Sequence, residues 1–426
     1  MKYTTSIQTL LLRNVSLLLL VIFGLTACSH NAATNKTSKH STQKTLSQSE
    51  HDKQIRILDL KAIQPLDSLS NKLGQYRVIF VGESHTDYGH HLNQLAIIKK
   101  THQKWGGDLS IGLEMVQQPF QTALDDYIAG QINEHQMLRK VEWYKRWKYD
   151  FRLYRPIFDY AKANKIPLIA LNIPYEVTKR VSKDGIKGLS NKDRALLPKI
   201  LDRSNKDYEA RLKSVYPMHS HGVNNNSKAF ENFYDAQLAW DEGMAFAASE
   251  YLKKDSKRKM VVIAGSGHVI NREGIPDRLD RLLGQQKGKH SAVILSKSSI
   301  DNMSGKGEQP SSKNADYLLY SPDAKLPPAG LIGISMDDSK KGVKVASVIK
   351  KGAAEKAGIK ANDLIVAINN QTIKETSDVS LWRLDKKPGD KATVKLLRNN
   401  KVLLKTLVLG KPMQQSMFDF SRIHKK

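Results

Sequence analysis

A series of short apolar runs, each followed by a polar cluster, constrains this chain more than any other feature. They are Arg77–Val81, Leu109–Leu113, Pro167–Leu171, Met260–Ala264, Ser291–Leu295 and Asp316–Tyr320. Between most of them lie segments with helical spacing, among them Phe120–Ile128, Tyr154–Ala163 and Phe230–Leu252. Continuous apolar runs of this length suit strands buried on both faces, and strands alternating with helices predict an α/β fold. The expected architecture is a mostly parallel sheet with flanking helices. Residues 175–230 hold no clear strand and read as a helical excursion. Residues 297–315, rich in Ser, Lys, Gly and Asn, read as a loop before the last strand.

The chemistry gathers where these strands end. The first runs into Gly82-Glu83-Ser84-His85, with His91 on the helix that follows. The second ends in Gly112-Leu113-Glu114, the third in Asn172, and the fourth in Gly265-Ser266-Gly267-His268. In an open α/β sheet, ligands bind in the crevice outside the carboxyl ends of the strands. Glu83, His85, Glu114 and His268 are therefore expected in one crevice, supported by His91, Asn172, Gln237 and Asp241. Gln237 and Asp241 stand four apart, on one helix face. Two imidazoles and two carboxylates suit a divalent metal or general acid–base work. A phosphate-cradling loop at Gly265 lacks a Walker lysine, and Ser266 lacks the Gly-x-Ser-x-Gly elbow of a serine hydrolase.

A different pattern begins after the short linker at 323–328. Residues 329–410 carry short alternating β patterns, opening with Gly330-Leu331-Ile332-Gly333-Ile334. Gly352-Ala353-Ala354-Glu355-Lys356-Ala357-Gly358-Ile359 follows, and then a strand after Asn362-Asp363. The order of loop, helix and strand resembles a PDZ domain of the kind found in bacterial envelope proteases. The resemblance implies that a peptide or protein C-terminus adds as a strand to a sheet edge. Leu331, Ile332, Gly333 and Ile334 would form the carboxylate loop and pocket, with Leu381 and Leu384 lining it from a later helix. Ser377 or Asp378 stands near the start of that helix, where eukaryotic relatives often keep His. Residues 411–426 form a basic tail.

The N-terminus has Lys2 and Arg13 before an apolar stretch from Val15 to Leu25. A membrane-spanning helix needs roughly 20 apolar residues, so this shorter core reads as a signal peptide. Leu25-Thr26-Ala27-Cys28 resembles the lipobox of bacterial lipoproteins, which implies cleavage after residue 27 and lipid on Cys28. Cys28 is the one cysteine of the chain, and a lone thiol is of little use in an oxidising compartment. Residues 28–56 read as a polar tether. Ser29 after the cysteine points to an outer-membrane lipoprotein in the cell envelope. Export also argues against nucleic acid as the partner behind the formal charge of +26; lipid headgroups, lipopolysaccharide or an anionic ligand are the candidates, beside a merely solvated surface for most of the lysines.

Within residues 57–322, several motifs occur in an order similar to that of ChaN-type haem-binding lipoproteins. They are Gly82-Glu83-Ser84-His85, Gly112-Leu113-Glu114-Met115, Tyr154-Arg155-Pro156, Ala236-Gln237 with Trp240-Asp241-Glu242, Gly265-Ser266-Gly267-His268 and Gly274-Ile275-Pro276. Those proteins look like part of a wider group with the Tiki proteases and erythromycin esterases. The resemblance implies haem binding linked to iron uptake, with two stacked haems held by a homodimer. In that family a tyrosine ligates each iron, while a His and a Lys of the other subunit hold the propionates. The family's tyrosine does not align to a single position here. Tyr154, Tyr175 and Tyr216 are the candidates, with His219 and His221 beside the last. No Cys-x-x-Cys-His occurs, so any haem is non-covalent. The alternative reading is a metal-dependent hydrolase or peptidase acting through the Glu/His cluster.

Overall fold

The computed structural model describes residues 62–219, 227–297, 311–320 and 323–411. The signal peptide, Cys28, the tether, His221 and most of the basic tail lie outside the described residues. No described helix is long and apolar enough to cross a membrane.

The first sheet has six parallel strands in the order β3-β2-β4-β1-β5-β6. The strands are β1 (Val78–Glu83), β2 (Leu109–Gln117), β3 (Leu168–Asn172), β4 (Lys259–Gly265), β5 (Ser291–Lys297) and β6 (Tyr317–Tyr320). Every residue of β1 and β2 is buried, as a sheet covered on both faces requires. One face packs Ile79, Val81, Ile111 and Leu113 against helices α1 (Tyr88–Trp105), α2 (Gln121–Ile128), α3 (Glu134–Lys140), α4 (Trp143–Arg146) and α5 (Arg155–Ala163). The other face packs Phe80, Val262 and Leu171 against α8 (Ser227–Lys253) and α9 (Ile275–Leu282). The helical excursion holds α6 (Tyr175–Asp184) and α7 (Lys206–His219).

Three strands run at least two residues further than the apolar runs suggest. β1 continues to Glu83, β2 through Glu114 to Gln117, and β5 to Lys297. Glu114 is thus inside a strand, not after it. Its pairing with β4 has already stopped at Leu113↔Ile263, so its side chain still emerges at the sheet's carboxyl edge.

The second sheet, in the order β12-β11-β9-β8-β7 with β10 paired to β9, is antiparallel. Its strands are β7 (Ile334–Ser339), β8 (Gly342–Val348), β9 (Leu364–Ile368), β10 (Gln371–Thr372), β11 (Lys391–Arg398) and β12 (Lys401–Val408). Helix α10 (Ala353–Lys356) follows β8, and α11 (Thr376–Arg383) follows β10. Val343, Val345, Ile365, Val394 and Leu396 form this body's own core.

Helix α11 has apolar residues on two faces. Val379 and Trp382 point into the second sheet's core. Leu381 and Leu384 join the core of the first, among residues that include Leu138, Val141 and Trp143. Ion pairs border that contact: Lys145–Glu375 at 2.6 Å, Arg155–Asp385 at 2.8 Å, and Arg139–Asp378. The first two are partly exposed pairs, which contribute about 0–1 kcal/mol each, while Asp378 of the third is buried and also accepts the Lys374 and Glu375 amides. The two buried leucines therefore dominate the docking, since removing a buried Leu side chain costs about 2–5 kcal/mol.

Candidate functional site

The crevice is assembled from the ends of β1, β2 and β4. After β1 the chain turns into α1, with Asp87 as N-cap accepting the His90 amide at 3.2 Å. The Ser84 amide donates to His90 Nδ1 at 3.0 Å, which ties the turn back onto the helix. The turn presents His85 over the strand end, where its Nδ1 lies 2.6 Å from Glu83 Oε1. Trp147 and Tyr149 wall the ring, with centroids at 4.8 and 4.9 Å. Gly265 closes the remaining side: a Cβ there would lie 2.8 Å from His85 Cε1. Glycine is needed for that approach.

Glu83 is buried at the base of this branch. Its Oε2 has no hydrogen-bond partner, and His91 Nε2 is 3.8 Å away. His91 is held by Gln94, whose Nε2 donates to the Val81 carbonyl while its Oε1 meets His91 Nδ1 at 3.0 Å. Tyr154 is fully buried, stacks on His91 at 4.2 Å and donates its hydroxyl to Glu83 Oε1 at 3.5 Å.

The second branch begins at Glu114. Its Oε2 accepts the Gly265 amide at 2.6 Å, and its Oε1 is 3.4 Å from His268 Nε2. His268 Nδ1 meets Asp241 Oδ1 at 2.6 Å, and Tyr208 donates to Asp241 Oδ2 at 2.7 Å. Burial opposes charge on His268, but the Asp241 and Glu114 carboxylates outweigh it and raise its pKa to about 9. His85 is raised as well: burial pulls it down, and the Glu83 and Glu114 carboxylates pull it up further. Burial first, and then the neighbouring carboxylates, push the Tyr154 and Tyr208 phenols well above their ordinary range.

Glu83, His85, Glu114 and His268 are therefore brought together, with His91 and Asp241 as direct partners. Asn172 donates its amide to the Glu114 carbonyl at 2.9 Å and leaves a buried, unpaired Oδ1. Gln237 is half-buried on α8 and makes no hydrogen bond to the cluster among the described residues. The residues that sequence reasoning missed are Tyr208, Trp147 and Tyr149. The aromatic density of residues 143–154 was a usable signal for the last two. Nothing local marks Tyr208.

Among the described residues, no group of three His, Cys, Asp or Glu side chains is arranged to hold a metal ion. The Nδ1 atoms of His85 and His268 face carboxylate oxygens, while Glu114 and Asp241 are turned to a backbone amide, imidazole or phenol. The divalent-metal alternative finds no ligand set here.

The haem candidates separate by exposure. Tyr154 is sealed in the core and cannot reach an iron from outside. Tyr175 begins α6 beside the end of β2, its amide on Gln117 Oε1 at 3.1 Å. It is 45% exposed, and its hydroxyl makes no hydrogen bond among the described residues. Tyr216 is half-buried on α7 against Phe230 and Phe233. His219 ends α7.

In the second body, Gly333 has φ +83°, a conformation that favours glycine. Leu331 bridges to Gly410, Ile332 is buried in that body's core, and Ile334 opens β7. Leu381 does not join Ile332 and Ile334 to line a pocket. It faces the first sheet's helices, because α11 uses that face to dock.

The family model for haem-binding uptake proteins of the Tiki superfamily, ChaN, matches residues 69–279. The main domain belongs to this family. The PDZ model matches residues 330–408, so the ChaN-family domain is followed in the same chain by a PDZ domain. Among solved structures, the cofacial haem complex of ChaN from Campylobacter jejuni is 17% identical, with a TM-score of 0.47, covering 59% of this chain and 90% of that one. Curated relatives match over a short stretch. The serine protease Do-like HtrB of Bacillus subtilis is 36% identical over 86 residues, 20% of this chain and 19% of the relative. A probable periplasmic DegP-like endoprotease of Brucella suis is 43% identical over 61 residues, 14% of this chain and 12% of the relative. The chain thus spans a fifth or less of these relatives' length.

Proposed function

We propose that this chain is a lipid-anchored haem-binding protein of the bacterial envelope, acting in haem and iron uptake. The ChaN-family match over residues 69–279 carries this reading. Haem is cargo here, and because Cys28 is the one cysteine, the folded domain offers it no thiolate ligand. Tyr175 supports the reading best: it is exposed, unengaged and at the sheet edge where the crevice opens. A phenolate oxygen suits ferric haem. Tyr216, with His219 and His221 after it, offers a second ligand position. Stacked haems between two copies, held by propionate contacts from the opposite copy, complete the proposal by analogy with the family.

Anchorage through Cys28 to the outer membrane rests on the Leu25-Thr26-Ala27-Cys28 motif after a short apolar core. The PDZ domain would recruit a peptide or protein C-terminus at the β7 edge. The test is a haemin titration of the full chain followed by absorbance. A saturable Soret shift supports haem binding, and a spectrum identical to that of free haemin at every ratio rejects it.

One observation favours a second reading. Two carboxylate–imidazole pairs, Glu83–His85 and Asp241–His268, flank Glu114 in one crevice, an arrangement suited to acid–base hydrolysis. His268, held protonated at neutral pH, would donate a proton, and the Glu83–His85 pair would accept one from water. Ester and peptide turnover that vanishes in Glu83→Gln would support it, and turnover unchanged by that substitution would remove Glu83 as the base.

A further inference from the structure

The outer face of the β11–β12 hairpin is an exposed apolar stripe set among lysines. β12 is an edge strand of the PDZ sheet. Along it Val402, Leu404 and Val408 are 56, 67 and 54% exposed, all on the side opposite buried Leu407, with the exposed Thr393–Thr406 pair between the last two. Their cross-strand partners on β11 are Leu397, Lys395 and Lys391. Lys391 and Lys395 are exposed on this same face, because Ala392, Val394 and Leu396 point inward. A soluble domain ordinarily protects an edge strand with charge or covers it, and a contiguous exposed apolar patch marks an interaction surface.

Charge identifies the partner. From Lys391 to Lys411 the chain has six basic residues and no acidic one. Only Arg398 among them is ion-paired in the described residues, to Asp363 at 2.7 Å. Lys391 and Lys395 on the stripe's face, and Lys401 on the opposite one, are exposed with no counter-ion among the described residues. Pairing β12 with a second copy would set side by side two strands whose only charged residues are lysines, so self-association through this edge is disfavoured. An anionic surface is favoured by both halves of the pattern. Aliphatic side chains enter the acyl boundary while lysines meet the phosphates, and each lysine near such a surface strengthens binding severalfold.

We infer that the β11–β12 face of the PDZ domain docks on an anionic phospholipid bilayer. The helix face that carries Leu381 is already used against the main domain, and β7 lies at the opposite edge of the sheet. Bilayer contact through β12 therefore leaves both unobstructed.

The test uses the full chain with Leu404→Cys in a Cys28→Ser background, labelled with an environment-sensitive dye. Vesicles of phosphatidylglycerol and phosphatidylcholine are compared with phosphatidylcholine alone. A second label through Gln371→Cys, on exposed β10, is the control. The expected result is a blue shift at position 404 on anionic vesicles alone, with none at 371. Adding Lys391→Glu and Lys395→Glu should weaken the partitioning read at 404 by at least about thirtyfold. The dye reports this face whatever anchors the chain elsewhere. No shift at 404 on anionic vesicles, equal shifts at 404 and 371, or a lipid-independent shift that grows with protein concentration would each overturn the inference. The last would assign the face to a second copy.

Discussion

Replacing Asp241 with Asn should make the stability of the main domain respond differently to pH, because Asp241 is the chief support of a protonated His268. A folded-state pKa of about 9 against an ordinary 6.5 corresponds to about 3 kcal/mol of differential interaction. The folded state binds this proton more tightly than the unfolded chain does. Its contribution is therefore fully present below pH 6.5 and lost as pH rises through 9. In Asp241→Asn the imidazole keeps the burial that disfavours charge and the more distant Glu114 carboxylate, but loses the charge at 2.6 Å. Urea unfolding of both proteins, followed by tryptophan fluorescence from pH 5.5 to 9.5, measures the difference. The stability gap at pH 6 should exceed that at pH 9.5 by about 2–3 kcal/mol. A gap that stays constant across this range would refute the assignment of a charged His268 to the Asp241 pair.

Other consequences follow from single contacts. Leu381→Ala removes a side chain buried between the domains and should cost about 2–5 kcal/mol, with faster amide exchange in α3 and α4; unchanged exchange there would mean α11 is not docked. Gly265→Ala places a methyl 2.8 Å from His85 Cε1 and should displace the ring from Glu83, lowering the raised His85 pKa; an unaltered His85 titration by NMR would contradict the packing. Arg139→Ala should cost about 1–3 kcal/mol by urea unfolding, since it leaves the buried Asp378 carboxylate with only the Lys374 and Glu375 amides, and no loss at all would show that this pair does not hold in solution.

The sheet was legible because parallel strands buried on both faces read as continuous apolar runs, and Leu168–Asn172 and Lys259–Gly265 lie within a residue of where those runs predict. The crevice was legible for the same reason: once the strands are parallel, Glu83, His85, Glu114 and His268 must leave at one edge. The end of β2 was not, because Met115-Val116-Gln117 continues the strand after its pairing with β4 has ceased. Tyr208 was invisible because its partner Asp241 is distant in sequence and the excursion carrying it has no strand to fix its register. Leu381 was misplaced because α11 has two apolar faces, and spacing alone cannot say whether Val379 and Trp382 or Leu381 and Leu384 point into the domain. The metal alternative gains no support among the described residues, where the carboxylates face imidazoles, a phenol and the Gly265 amide, a pairing that composition cannot show.

The central claim is that this chain holds haem iron through an exposed oxygen or nitrogen ligand at the rim of the main domain. The absorption spectrum of the haemin complex tests it most directly in the wild type and in Tyr154→Phe, Tyr175→Phe and Tyr216→Phe. A saturable complex with a tyrosinate charge-transfer band is expected, lost in Tyr175→Phe or Tyr216→Phe and retained in Tyr154→Phe, whose ring is sealed in the core. No complex at all, or loss of the band in Tyr154→Phe alone, would contradict it.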